Sequence, residues 1–317
     1  MKNPKLLLIL RLAVSLFLLL LLFWLAREHL GKIGELLKNV NLGYYVLGLL
    51  FFVLTIVILC WRLQILLSVQ GCNVFSFQDI FSLNLIGYFF TNFMPTSIGG
   101  DLVKGFFIAQ KINNKTLAYA TIFIDRVVGT LSLALIAASA LVATHKEIEY
   151  PFIFWAVGFL LFISLVVITF LLNKRLSQQI SNRFGLKHLL RILKIDALAK
   201  KAYEAMHIYA HYKRQMLMAF LISLAAHFIT FTSVLFLALS LGAHTPYVKI
   251  LLAVPVISIL CMLPITLNGL GLREWAFVFF FRTDIGEPAA LSLSLLLLSL
   301  FLLVSVFGGI VYLLKKA

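Results

Sequence analysis

The sequence predicts an all-α polytopic membrane protein with about six full spans and two oppositely oriented re-entrant helical hairpins in an inverted-repeat arrangement. Its composition is that of a membrane protein, because 62% of the residues are hydrophobic, 12% are charged and the mean hydropathy is +1.04. Several apolar runs exceed the roughly 18 residues that cross a bilayer, and two long apolar segments are interrupted at similar places. We predict a single integral membrane domain over residues 1–317, with repeat halves at roughly 44–143 and 216–314.

The full spans follow from uninterrupted apolar runs of sufficient length. They are predicted at about Leu6–Ala26, Tyr44–Leu66, Thr116–Ala143, Phe152–Leu172, Met216–Leu241 and Ala289–Leu314. The first run is longer than the roughly 7–15 apolar residues of a signal peptide and lacks a small-x-small cleavage site, so we interpret it as a retained span. Between the first two spans, apolar residues at helical spacing within Glu28–Val40 predict a short interfacial helix.

Two further apolar segments, Phe77–Gln110 and Lys249–Phe281, are each broken near the middle. Both breaks contain a proline, small polar residues, two glycines and a charge, with the prolines at Pro95 and Pro264. Proline lacks the backbone N–H and glycine loosens the chain, so helices end there. At membrane depth, broken backbone persists only if it is buried in protein or lines a wet cavity. Paired interruptions in two halves are typical of transporters that bind substrate near the midplane.

The long polar segment 173–215 determines the predicted orientation, because basic loops belong on the cytoplasmic side. Its basic residues are Lys174, Arg175, Arg183, Lys187, Arg191, Lys194, Lys200, Lys201, Lys213 and Arg214. Counting spans from this loop puts both termini in the cytoplasm of a multi-pass cell (cytoplasmic or inner) membrane protein. The first hairpin then begins and ends inside and the second begins and ends outside. In this count Arg62 and Lys104 are cytoplasmic charges that help to set topology.

Charged residues inside hydrocarbon are costly and are functional candidates by default. The substrate-binding candidates are these charges and the glycines at the breaks, namely Gly99, Gly100, Asp101, Lys104, Asp125, Arg126, Gly269, Gly271, Arg273 and Glu274. Half-helices that start at the breaks present free N–H groups and positive dipole ends, which suit a phosphate or carboxylate. Arg126 and Arg273 would grip a phosphate with two hydrogen bonds. Asp101, Asp125 and Glu274 would hold those arginines or take up a coupling proton.

Purely structural interpretations of the same residues stay open at this point. Asp125 and Arg126 are adjacent opposite charges that would pair only for stability. Asp101 would serve as a helix N-cap, and Lys104 would extend toward the cytoplasmic surface. The glycines would serve turn geometry or close helix packing. His227, alone on an apolar span, fits a core histidine better than a proton relay.

The sequence contains no motif that specifies an enzyme, a cofactor or a metal site. The three cysteines lack metal-ligand spacing, and no GxSxG, P-loop or DxD-like pair is present. The net charge of +15 does not indicate nucleic acid, because the basic residues lie mostly between spans, where the positive-inside rule explains them. We therefore predict a protein that is not an enzyme, needs no cofactor and binds no nucleic acid.

Three ordered motifs resemble those of a known family. They are Pro95 with Gly99-Gly100-Asp101 and Lys104, Asp125-Arg126 with Gly129, and Gly269-Leu270-Gly271 with Arg273-Glu274. Over nearly its whole length the chain resembles the lysylphosphatidylglycerol synthase transmembrane family, also called the flippase-like membrane domain family. The resemblance implies a bacterial or archaeal cytoplasmic-membrane protein of about eight hydrophobic elements. In the best-understood members this domain is joined to a cytosolic synthase that aminoacylates phosphatidylglycerol, and the membrane part moves the product outward.

This chain is expected to be a stand-alone member without the synthase domain. The predicted function is translocation (flipping) of an anionic lipid or lipid-linked headgroup, such as a polyprenyl-linked one, across the cytoplasmic membrane. A separate lipid-modifying enzyme and an oligomeric state are compatible with this hypothesis. Two alternatives remain: a transporter of a small anion or ion, and a non-transporting membrane partner of a lipid- or glycan-modifying enzyme that is contacted through the segment 173–215.

Overall fold

Eleven α-helices make up most of the chain that the structure describes. The computed structural model describes residues 30–72, 74–93, 99–143, 152–172, 196–262 and 265–316, together with isolated residues between 16 and 27. The helices are α1 Leu30–Lys38, α2 Leu42–Val69, α3 Phe77–Phe93, α4 Gly99–Ile112, α5 Lys115–Ala143, α6 Phe152–Leu172, α7 Asp196–His207, α8 Lys213–Ser240, α9 Tyr247–Met262, α10 Leu272–Ile285 and α11 Glu287–Lys316. Within the described ranges there is no strand, so the predicted all-α class is confirmed.

Four of these helices, α2, α5, α8 and α11, are long and apolar enough to cross a membrane. They have 28 to 30 residues each, which gives about 42–45 Å at a rise of 1.5 Å per residue. The predicted span at 152–172 is α6, with 21 residues. The predicted interfacial helix is α1. The predicted first span, Leu6–Ala26, lies outside the described residues apart from isolated positions.

Each broken segment forms two short helices that return to the face from which they started. The arms α3, α4, α9 and α10 have 17, 14, 16 and 14 residues, so they reach about 21–26 Å, less than the roughly 30 Å of a hydrocarbon core. At the open end of the first hairpin, Nζ of Lys111 lies 2.7 Å from Oδ2 of Asp79. At the open end of the second, Lys249 pairs with Asp284. Pro95 and Pro264, predicted to break these segments, lie outside the described residues.

The two hairpins open at opposite ends of α11. Lys315, at the C-terminal end of α11, lies 3.8 Å from Asp79 at the mouth of the first hairpin. Asp284, at the mouth of the second hairpin, stands just before α11 begins at Glu287. The opposite orientation predicted from the sequence is therefore confirmed.

Helix packing has the symmetry that an inverted repeat predicts. The most extensive contact joins α2 and α8, the first helices of the two halves. The first arm of each hairpin packs on the last helix of the other half, α3 on α11 and α9 on α5. The second arms pack within their own halves, α4 on α5 and α10 on α11. The residue limits of the halves and the single-domain assignment remain predictions.

The segment 173–215 is more ordered than a polar connection. Residues 173–195 lie outside the described part of the chain, but 196–207 form α7, which packs on α5. A 3₁₀ turn at Ile208–His211 follows, and its Tyr209 is 1% exposed. The hydroxyl of Tyr209 lies 3.0 Å from the carbonyl oxygen of Leu66 and 2.9 Å from Oγ1 of Thr121. The C-terminal part of this basic segment is thus fixed to α2 and α5.

Candidate functional site

The tips of the two hairpins meet beside a polar cavity. Nδ2 of Asn268, in the second break, donates to Oδ1 of Asn92, near the end of α3, at 2.6 Å. Both asparagines line a cavity of about 290 Å³. Its other polar side chains come from α2, α3, α4, α5 and α8 and are Arg62, Asn84, Thr91, Asp101, Lys104, Asp125, Arg126, Thr130 and His227. A concentration of charge inside an apolar helix bundle marks this cavity as the candidate site.

Asp101 stands at the centre of the first charged group. Its Oδ1 accepts from Nζ of Lys104 at 2.9 Å, and its Oδ2 accepts from Nε of Arg126. The side chain of Asp101 is 8% exposed and that of Lys104 14%, whereas that of Arg126 is 38% exposed. Arg126 is therefore the charge of this group that a ligand in the cavity can reach most easily. Asp101 acts as its fixed counter-ion rather than only as an N-cap.

Lys104 does not extend to the membrane surface. Besides its bond to Asp101, its Nζ lies 3.4 Å from Oδ1 of Asn84. Its stem passes over Gly87, where an added Cβ would come 3.1 Å from Cδ of the lysine. The interpretation of Lys104 as a topology-setting cytoplasmic charge is therefore wrong, because a carboxylate partner inside the bundle holds the ammonium in the cavity.

The first break needs glycine for space. A Cβ at Gly100 would lie 2.2 Å from the carbonyl oxygen of Gly87 and 2.2 Å from Oγ1 of Thr91. Only a residue without a side chain lets α4 begin this close to α3. Gly99 is also buried but does not line the cavity. The close contact places the first turn of α4, and with it Asp101, against the cavity.

A second charged pair on the cavity wall joins α2 and α5. Nε and Nη2 of Arg62 donate to Oδ1 and Oδ2 of Asp125 at 2.7 and 2.8 Å. Nη1 of Arg62 donates to Oγ of Ser223 at 2.9 Å, which adds α8 to the pair. Asp125 thus binds a distant arginine, and the predicted pairing with its neighbour Arg126 is not what these bonds show. Arg62 was missed as a site residue, because a charge near the end of a span was interpreted as a topology signal.

His227 faces the cavity from α8. Its Nε2 lies 3.0 Å from the carbonyl oxygen of Gly129. Glycine is needed at 129, because a Cβ there would come 3.0 Å from Nη1 of Arg62. The expectation that His227 is a hydrogen-bonded histidine inside the protein agrees with this contact, although its position on the cavity wall was not foreseen.

The predicted residues of the second break lie apart from the cavity lining. Oε1 of Glu274 accepts from Nε and Nη2 of Arg273 at 3.1 and 2.9 Å, and its Oε2 accepts from the backbone N–H of Gly271 at 2.7 Å. Both side chains are deeply buried, at 7% and 1% exposure. The guanidinium of Arg273 lies 5.8 Å from the ring centre of Phe301, which lines the cavity on its other side.

Backbone conformation explains the glycines of the second break. Gly269 and Gly271 have φ of 76° and 81°, values that L side chains rarely adopt. A Cβ at Gly269 would also come 2.8 Å from Cβ of Cys261. These glycines shape the turn that carries Asn268 to the hairpin contact.

The structure thus brings together five of the ten predicted residues on one cavity wall, namely Gly100, Asp101, Lys104, Asp125 and Arg126. The sequence gave no reason to single out Asn84, Asn92 or Asn268, since isolated asparagines in or beside apolar runs carry no motif. Among the described residues, no group of three or more His, Cys, Asp or Glu is placed to hold a metal ion. What the arrangement offers is a partly exposed guanidinium with hydrogen-bonding amides nearby, a combination that suits an anionic oxygen group.

Comparison with known proteins agrees with the sequence motifs. The UPF0104 membrane protein MJ1595 of Methanocaldococcus jannaschii is 30% identical over 164 residues, which are 50% of this chain and 48% of that protein. The UPF0104 membrane protein MJ1078 of the same organism is 26% identical over 236 residues, 71% of this chain and 93% of that protein. The match thus spans about half the length of the first relative. No solved structure gives a significant match. The family described as the lysylphosphatidylglycerol synthase TM region matches residues 8–309, and the chain therefore belongs to this family of membrane proteins.

Proposed function

We propose that the protein translocates the headgroup of an anionic lipid across the cell membrane. The observation that carries the proposal is the charged cavity at the point where the tips of two opposed hairpins meet. Sites of this kind, between inverted halves and lined by interrupted helices, are where membrane transporters bind their substrates. The family to which the chain belongs is named for a lipid synthase, which favours a lipid over a soluble solute.

Arg126 is the proposed phosphate ligand. It is the most exposed of the three cations on the cavity wall, and its Nε is oriented by Asp101. Guanidinium groups bind phosphate with parallel hydrogen bonds, which ammonium groups cannot match. Lys104 would keep Asp101 in place and limit its repulsion of an entering phosphate. Arg273 and Glu274 would hold the second tip rather than bind the headgroup.

Access from the two leaflets would alternate through movement of one half against the other. The halves share the α2–α8 contact, and each hairpin leans on the last helix of the opposite half. A tilt about α2 and α8 would separate the tips at the Asn92–Asn268 bond and open the cavity first to one side, then to the other. The acyl chains would stay in the bilayer while the headgroup crosses.

The test is lipid movement in proteoliposomes. Phosphatidylglycerol with a fluorescent acyl chain is placed in the vesicles, and its movement is followed by quenching from the outside. Arg126→Ala is expected to slow translocation about 10- to 100-fold, because a hydrogen bond to a charged group contributes about 1.5–3 kcal/mol. Arg282→Ala is the matched control, since Arg282 is exposed at the end of α10 away from the cavity. Equal rates for wild type and Arg126→Ala would refute the mechanism.

The same vesicles separate the lipid proposal from a small-anion transporter. Radiolabelled phosphate or another soluble anion is trapped inside, and its efflux is measured beside lipid movement. Efflux that depends on Arg126 without any lipid movement would assign the cavity to a soluble anion. Lipid movement without efflux supports the translocase.

A further inference from the structure

The cavity has an unequal number of positive and negative side chains. The titratable groups that face it are Arg62, Tyr88, Asp101, Lys104, Asp125, Arg126 and His227. Tyrosine is neutral at physiological pH, and a neutral His227 protonated at Nε2 satisfies its bond to the carbonyl of Gly129. Three cations against two carboxylates leave one net positive charge. Because unbalanced charge is unfavourable in a site removed from bulk water, the cavity is complementary to a ligand with one negative charge.

The pairing of the side chains places this excess at Arg126. Arg62 is neutralised by both oxygens of Asp125 at 2.7 and 2.8 Å. Asp101 is shared between Lys104 and Arg126, so the two cations together lack one counter-charge. A phosphodiester carries one negative charge and would complete the set. A pyrophosphate or a doubly ionised phosphomonoester would bring a second charge toward Asp101 and Asp125.

The neutral part of the lining fits an uncharged headgroup. Asn84, Asn92 and Asn268 line the cavity, and each amide offers both donors and acceptors. Among the described residues that line it, both carboxylates already bind cations, so an ammonium group would have to compete with Arg62 or with Lys104. Hydroxyl groups meet no such competition. Resting on the proposed function, we infer that the substrate is a phosphodiester lipid of net charge −1 whose headgroup is otherwise uncharged and hydroxylated.

The inference is tested by comparing four headgroups in one vesicle system. Proteoliposomes of phosphatidylcholine receive a trace of acyl-labelled phosphatidylglycerol, phosphatidylethanolamine, phosphatidic acid or lysylphosphatidylglycerol, measured at pH 8. Phosphatidylglycerol is expected to move at least about tenfold faster than the zwitterionic and cationic lipids, because like charges brought together in a partly buried site are strongly unfavourable. Equal or faster movement of phosphatidylethanolamine or lysylphosphatidylglycerol would overturn the inference.

A charge-changing variant gives a second, independent test. Lys104→Met keeps the stem beside Gly87 but brings the net charge of the lining to zero, so the ratio of phosphatidylglycerol to phosphatidylethanolamine rates should fall toward one. Lys104→Arg keeps the charge and should keep the ratio. A rate ratio does not depend on how much protein is folded in each preparation. An unchanged ratio in Lys104→Met would contradict the inference.

Failure of the proposed function gives a different pattern. If wild-type protein moves none of the four lipids, translocation is wrong, and the charge inference is then decided by binding. The shift in melting temperature of the purified protein in detergent is measured with each lipid added. A larger shift with phosphatidylglycerol than with the other three supports the inference, and a larger shift with any of the others refutes it.

Discussion

The two hairpin breaks use similar residues for different purposes. In the first break the carboxylate of Asp101 is shared by two cations, one of which is 38% exposed. In the second, Arg273 and Glu274 form a pair whose side chains are 7% and 1% exposed. A charge that reaches a cavity is available to a ligand, whereas a pair buried on both sides only holds its own segment.

The glycines differ in the same way. At the first break Gly100 is required for space, because an added Cβ would lie 2.2 Å from the carbonyl oxygen of Gly87. At the second, Gly269 and Gly271 are required for positive φ. An inverted repeat therefore preserves the position of a break while its chemistry diverges, and the comparison teaches that binding and shape are divided between the halves.

The largest effect is expected from Glu274→Gln. It leaves the guanidinium of Arg273 buried without its carboxylate, and removing one partner of a buried pair costs about 3–5 kcal/mol. Asp101→Asn should cost less, about 1–3 kcal/mol, because Arg126 reaches the cavity and Lys104 keeps its contact with Asn84. Thermal unfolding in detergent measures both, beside lipid movement.

The comparison predicts opposite patterns for these two variants. Glu274→Gln should be poorly folded, whereas Asp101→Asn should remain folded and lose translocation. Equal losses of stability in the two variants would mean that the breaks are not specialised as the exposures of their charges indicate.

Gly100→Ala is expected to have an intermediate effect. Its methyl group overlaps the backbone of α3, and overpacking costs about 1–3 kcal/mol. The expected result is a lower melting temperature together with slower lipid movement, because the first turn of α4 carries Asp101. Gly158→Ala in α6 is the control, since nothing lies within 4 Å of its added Cβ, and it should stabilise the helix slightly. Equal melting temperatures for the two variants would show that α4 can move away from α3 freely.

Much of the fold could be predicted from the sequence because its signals are local. Apolar runs placed α5 and α6 within a residue of their observed limits, 115–143 and 152–172. The paired breaks at Gly99–Asp101 and Gly269–Gly271 predicted two opposed hairpins. These features depend on hydrophobic length and on helix-breaking residues, both of which are visible along the chain.

The pairing of charges could not be predicted, because it is tertiary. Asp125 and Arg62 are 63 residues apart, and the sequence made Arg126 the nearer partner. Burial was equally hidden, since Asp101 and Glu274 each sit at a Gly-rich break beside a basic residue, yet only Asp101 lines the cavity. The Asn92–Asn268 bond joins two single amides that no motif marks.

The smallest effect is expected at the hairpin mouths, where Asp79 pairs with Lys111 in contact with solvent. The hydrogen bond from Lys111 lowers the pKa of Asp79 to about 2. A lowered pKa adds stability above the ordinary carboxyl value of about 4, and that stability is lost as the pH falls toward 2. Since solvent screens exposed pairs, Asp79→Asn should cost at most about 1 kcal/mol at pH 7. Melting temperatures of wild type and variant in detergent, followed from pH 7 down to pH 2.5, should converge in the acid range. A difference that stays constant with pH would show that the carboxylate charge adds nothing at this mouth.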